Sequence, residues 1–185
     1  MAKSSAPVKV RFFPASGTPS DAFVSDIASI KHLLDDDDMF LEFKSIHPQI
    51  WDNTGDKSVS LRLCFNEEPS TKDSVNVNIP SLRGNALAVI MGCDGDCDHF
   101  FDYDRGYSSH DVDSMVRMWA EIQSVNVQIM RLTPRGVLLG ASFFEGMKKN
   151  NKAWQRAVST VDDLNARMQA MIMPSTAAAS LFADM

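Results

Sequence analysis

Apolar and polar positions alternate through much of the first half of the chain. Val8, Val10 and Phe12 alternate with Lys9 and Arg11, and Met39, Leu41 and Phe43 alternate with Phe40, Glu42 and Lys44, which predicts half-buried strands. Val59, Leu61, Leu63 and Phe65 share one face of a longer segment, with Ser60, Arg62, Cys64 and Asn66 on the other. After the turn-rich Glu68 to Asp73 the alternation resumes at Val75, Val77 and Ile79, so the two runs read as an antiparallel hairpin. Ala86 to Met91 is apolar throughout and fits either a strand buried on both faces or a buried piece of helix. Val127 to Leu132 and Val137 to Phe143, joined by Thr133-Pro134-Arg135-Gly136, read as a second hairpin.

Three stretches carry helical spacing instead. Thr18-Pro19-Ser20-Asp21 supplies a cap hydroxyl, a proline and a carboxylate, and Phe23, Ile27, Ile30 and Leu34 then share a face, predicting a helix over 19–34. Ser108 with Asp111 forms a second cap, followed by the stripe Val112, Met115, Trp119 and Ile122. From about Asn151 to Ile172, Trp154, Val158, Val161, Leu164 or Asn165, Met168 and Met171 recur near every 3.5 residues, a period that also suits a self-association seam and hence a homo-oligomer. The fold class expected is α+β, a mainly antiparallel sheet packed with about three helices. A single domain over 8–173 is expected between flexible ends, 1–7 and 174–185.

With 185 residues and 44% apolar residues, the chain can bury roughly 70% of its unfolded surface in one core. The longest apolar run, Ala86 to Met91, is far short of the ~20 residues of a membrane span. Three cysteines, Cys64, Cys93 and Cys97, cannot all pair within one chain, and no apolar leader stands at the N-terminus, so a cytoplasmic protein with reduced thiols is expected.

Charge divides the chain unevenly. Residues 1–120 hold 11 Lys and Arg against 19 Asp and Glu, a net of −8, while 121–185 hold 7 against 5, a net of +2; together these give the overall −6. Between Arg131 and Thr160, Arg131, Arg135, Lys148, Lys149, Lys152 and Arg156 meet only Glu145, and Phe143, Phe144 and Trp154 lie among them. Cations neutralise phosphates and flat apolar rings stack on unpaired bases, so this block predicts binding to a single-stranded polyanion. Lys9 and Arg11 extend the cationic track if their strand is adjacent, and Trp51 is a further stacking candidate. Trp154 falls on the apolar stripe of the third helix and reads as core.

Acidic clusters raise other chemistries and fail their templates. Asp35 to Asp38 reads as a solvated loop after the first helix. Taken as a calcium loop from Asp94, the segment has carboxylates at positions one, three and five, yet His99 occupies the glycine position and Arg105 replaces the final glutamate. As a zinc site, Cys93, Cys97 and His99, with Cys64 or His110 as a fourth ligand, lack the two-residue spacing and are crowded by carboxylates. A magnesium-dependent hydrolase using Asp94, Asp96 and Asp98 is the enzymatic alternative. No glycine-rich phosphate loop is present, and His32, His47, His99 and His110 have no nucleophile in a recognisable context. The expectation is therefore a protein without enzymatic activity, catalytic residues, bound metal or cofactor.

A small acidic α+β chain with a basic, aromatic segment and a small-residue tail ending in Leu181, Phe182 and Asp184 resembles the accessory proteins that phages use on single-stranded DNA. In layout it is similar to the Drc-type proteins of schitoviruses, single-stranded-DNA-binding cofactors that help bring the phage RNA polymerase to middle promoters. The resemblance covers overall layout, so it carries no individual residue across. It implies a sequence-tolerant DNA-binding protein in the host cytoplasm with an RNA polymerase as partner, and Leu181 and Phe182 as a short partner-binding tip. A second expectation of a different kind is an acidic phage protein that redirects a host enzyme through Asp35 to Asp38 and the Asp94 to Asp104 segment.

Overall fold

In the computed structural model, residues 6–35, 41–68, 73–95, 98–132, 145–146 and 151–185 are described. Among them the fold is α+β, a seven-stranded antiparallel sheet with four helices. The strands are β1 (Val8–Phe13), β2 (Ser20–Val24), β3 (Leu41–Ser45), β4 (Ile50–Trp51), β5 (Ser58–Asn66), β6 (Ala86–Cys93) and β7 (Asp98–Phe101). The helices are α1 (Ile27–Leu33), α2 (Ser109–Leu132), α3 (Lys152–Gln169) and α4 (Ser175–Ala183).

The sheet runs β2-β1-β6-β5-β3, with β7 completing the edge of β6 beyond β1 and β4 the edge of β5 beyond β3. Its two central strands, β5 and β6, pair over eight positions from Ser58↔Cys93 to Phe65↔Ala86. Their alternate residues feed two cores. Leu61, Leu63, Phe65, Ala88 and Ile90 pack with Val112, Met115, Trp119 and Leu181 on one side. Cys64, Leu87, Val89 and Met91 pack with Val10, Ile30 and Leu34 on the other. Burial pushes the Cys64 thiol up to about 12, which keeps it protonated and inert.

Several expectations are corrected. The helix predicted over 19–34 begins only at Ile27. Residues 20–24 form β2, paired with β1 from Val8↔Val24 to Phe12↔Ser20. The operative cap is Asp26, whose carboxylate accepts from Ser29 N at 2.7 Å, while the Ser29 hydroxyl accepts from Asp26 N at 3.0 Å. Val75 to Ile79 is not the partner of β5. Its bridge is Val75↔Arg83, and the fully buried Asn76 side chain organises the loop. Its amide donates to Phe13 O and Gly84 O, and its carbonyl accepts from Asn78 N and Ile79 N. Val127 to Leu132 is the last part of α2 rather than a strand, and the proposed partner strand from Val137 to Phe143 lies outside the described residues. The Ser108–Asp111 cap of α2 forms as expected, with Ser108 Oγ donating to the carboxylate at 2.6 Å.

The C-terminal stretch is not a frayed tail. Ser175–Ala183 is helical, Leu181 is fully buried, and Phe182 packs against the core, so neither side chain stands out as a partner-binding tip. Lys57 Nζ donates to the Phe182 carbonyl at 2.8 Å, and Arg105 pairs with Asp184 at 2.6 Å. Gly92 and Gly106 admit this segment, because a Cβ at either would collide with the side chains of Met185 and Met173 respectively. The seam expected on the third helix is likewise in use within the chain, with Trp154, Ala157, Leu164 and Met168 buried. Among the described residues no helix is long and apolar enough to cross a membrane.

Candidate functional site

The 24 residues of α2 span about 36 Å. One face is the core stripe. Another carries His110, Ser114, Arg117, Glu121, Ser124, Gln128 and Arg131, spaced alternately four and three residues apart and therefore aligned as a polar ridge. The C-terminal half of this ridge forms one wall of a groove of about 840 Å³. Lys44 from β3 and Phe65 from β5 contribute its floor, and the Asn76-centred loop supplies the facing wall through Val77, Asn78, Ser81 and Leu82.

Arg117 and Arg131 are exposed and make no ion pair among the described residues, although Arg117 donates to Ser114 Oγ at 3.4 Å. Lys44 lies 5.7 Å over the Phe65 ring and pairs with Glu42 at 2.9 Å. Phe65 and Trp119 meet at 6.4 Å between centroids and are both buried, so they line the groove base rather than offering an open stacking face. Val77 and Val127 are exposed on its opposite lips. Glu121 is the one carboxylate among the lining residues described.

The residues expected to bind nucleic acid divide into four groups. Arg131 lines the groove. Lys152 and Arg156 are exposed on α3, which runs back along α2 with Leu164 and Met171 beside the His110–Glu121 half, so its first turns lie toward the Arg131 end. Arg135, Phe143, Phe144, Lys148 and Lys149 lie outside the described residues. Lys9 and Arg11 sit elsewhere and are already neutralised. Lys9 Nζ contacts Asp21 at 3.0 Å and Asp104 at 2.9 Å. Arg11 holds Asp113 of α2 with two hydrogen bonds, at 2.9 and 2.8 Å, and Asp21 with a third at 2.9 Å.

That cluster titrates as a set of mutual partners. The Tyr103 hydroxyl donates to Asp21 at 2.7 Å, and this bond, with those from Lys9 and Arg11, holds the Asp21 carboxyl below its usual range. Hydrogen bonds that Lys9 donates to Asp104 and Asp21 raise its own pKa, and those that Arg11 donates to Asp113 raise that of Arg11. Burial, and then Asp21, push Tyr103 up to about 12. Trp51 is exposed but stands on β4, beside the Ser58 end of β5, about 20 Å along that strand from the Phe65 end that meets the groove.

The acidic segment is not a calcium loop, since Asp98–Phe101 is a strand paired with β6. Asp94 faces His99 Nε2 at 3.1 Å, Asp102 accepts from Lys9 N at 2.6 Å, and Asp35 accepts from Asn85. Asp36 to Asp38, Asp96 and Cys97 lie outside the described residues. Among those described, no group of three or more metal-ligating side chains converges.

Reading Val127 to Leu132 as a strand hid the ridge. Its signal is present in the sequence as the 4-3-4-3 spacing from His110 to Arg131. Lys44 had no local signal, because a long-range strand pairing brings it to α2. The chain matches no protein-family model, and no similar curated protein or solved structure was found.

Proposed function

We propose that the chain is a non-enzymatic single-stranded-DNA-binding protein whose contact surface is the groove beside α2. The observation that carries this reading is the alignment of Arg117 and Arg131 on one exposed ridge, with Lys44 opposite. Arg117 and Arg131 are exposed and without an ion pair among the described residues, whereas Lys9 and Arg11 of β1 are each held by two carboxylates. A flexible single strand can follow such a groove, and the apolar lips at Val77 and Val127 suit the faces of unpaired bases.

Lys152 and Arg156, exposed on the first turns of α3, lengthen the positive track. The layout shared with Drc-type phage proteins supplies the proposed setting, delivery of an RNA polymerase to melted promoters. That delivery requires a protein surface other than Leu181 and Phe182, which are held in the fold.

Fluorescence anisotropy with labelled single-stranded and duplex oligonucleotides across a salt series tests the reading. Three to five phosphates neutralised correspond to a slope of log affinity on log salt of about −2 to −3.5. A flat salt response, or equal affinity for duplex, overturns it. Binding of neither DNA form redirects attention to a protein partner.

A further inference from the structure

The ridge on α2 does not stop at the groove. Its N-terminal half, with the returning end of α3, lines a second cleft of about 540 Å³, and Arg117 and Glu121 belong to both. The two compartments are therefore neighbours along one helix face, but their chemistry differs. The first is cationic, with Arg117 and Arg131 against Glu121 and with Lys44 paired to Glu42 at its floor. The second balances Arg117 and Arg167 against Asp111 and Glu121, and its apolar walls are Met118, Leu164 and Met171.

A charge-balanced cleft with carboxylates has little attraction for a phosphate, yet it suits a nucleobase. Thioether and leucine side chains adapt to a flat ring, and a carboxylate accepts hydrogen bonds from an exocyclic amine. The Asp111 carboxylate is already engaged by the Ser108 hydroxyl at 2.6 Å. Glu121 has no hydrogen bond or ion pair among the described residues, and it stands at the junction of the compartments. Arg167 is paired with Asp163 only at 3.9 Å, with both groups largely exposed.

We infer that the second cleft takes one unstacked base bearing an exocyclic amine, with Glu121 as the acceptor, so that binding favours cytosine over thymine while the first compartment holds the backbone. This rests on the single-strand reading above and modifies its sequence tolerance at one position per bound strand. No bond is made or broken in the process.

The test compares oligonucleotides of about eight nucleotides, oligo(dC), oligo(dT) and oligo(dC) dimethylated at N4, by anisotropy at one salt concentration. The expected result is about 10-fold tighter binding of oligo(dC) than oligo(dT), with the dimethylated strand behaving like oligo(dT). Glu121→Gln should reduce the ratio to about 2-fold or less. The ratio is the readout, because removal of a negative charge strengthens binding of every strand. Glu121 is exposed, and thermal melting of the variant checks that the fold is intact. Equal wild-type affinities for oligo(dC) and oligo(dT), or a preference that survives in Glu121→Gln or for the dimethylated strand, overturn this inference alone. Failure to bind any of the three overturns the single-strand reading beneath it.

Discussion

Two cationic regions of this molecule have similar composition and opposite employment. On β1, Lys9 and Arg11 meet Asp21, Asp104 and Asp113 within hydrogen-bonding distance, and Tyr103 closes the network. Along α2, Arg117 and Arg131 point outward without a carboxylate partner among the described residues. Arginine thus fastens β1 to α2 in one place and leaves a groove positive in another. A count of charges along a chain does not separate these roles, because the partners of Arg11 are 10 and 102 residues away.

Substitutions should separate them. The largest expected effect is on stability at Arg11, whose side chain is 13% exposed and whose removal strands Asp113 at 23%. Arg11→Met should lower the unfolding free energy by about 2–3 kcal/mol, measured by denaturant titration, with oligonucleotide affinity retained by the folded fraction. Charge reversal at both Arg117 and Arg131 should do the opposite, leaving stability within about 0.5 kcal/mol and weakening single-strand binding about 30-fold. If Arg11→Met abolished binding in folded protein, or the double reversal left affinity intact, the division between the two regions would fail.

A smaller effect concerns acid. Because the folded Asp21 carboxyl titrates below its unfolded value, the stability it contributes is present above the ordinary carboxylate range and is lost as pH falls through the folded value. Asp21→Asn should therefore flatten the decline in stability below about pH 4, as followed by denaturant midpoints in acidic buffers. Lys9→Gln should have the smallest effect. Its ammonium is partly in water, so the midpoint should move less than in Arg11→Met, with binding unchanged.

Much of the fold was legible because its signals are local. β1 and β5 follow period-two alternation, the apolar run of β6 is a doubly buried strand, and Ser108–Asp111 and Asn151 mark the starts of α2 and α3. The misreadings have tertiary causes. Thr18 to Asp21 resembles a helix cap, but the strand pairing with β1 and the contacts of Asp21 prevail there. The β-branched residues after Val125 favour a strand in isolation, whereas continuity with the buried face of α2 keeps them helical. Pro174 to Ala183 lacks bulky periodicity, yet small alanines are what permit a helix to sit close to the core. Of the site, Arg131 was visible as part of a basic run. Lys44 and the facing loop were not, since β3 and the Asn76 turn reach the groove through contacts distant in sequence.

Asn76 gives that facing wall a property of its own. With both amide hydrogens and its carbonyl oxygen occupied by backbone, the loop from Val75 to Gly84 is set before any ligand arrives. A preorganised wall forfeits little conformational entropy on capture, so more of the contact energy survives as affinity. If the proposed single-strand binding holds, capture at this groove should need no closing motion on its loop side, with the strand, rather than the protein, adjusting its shape.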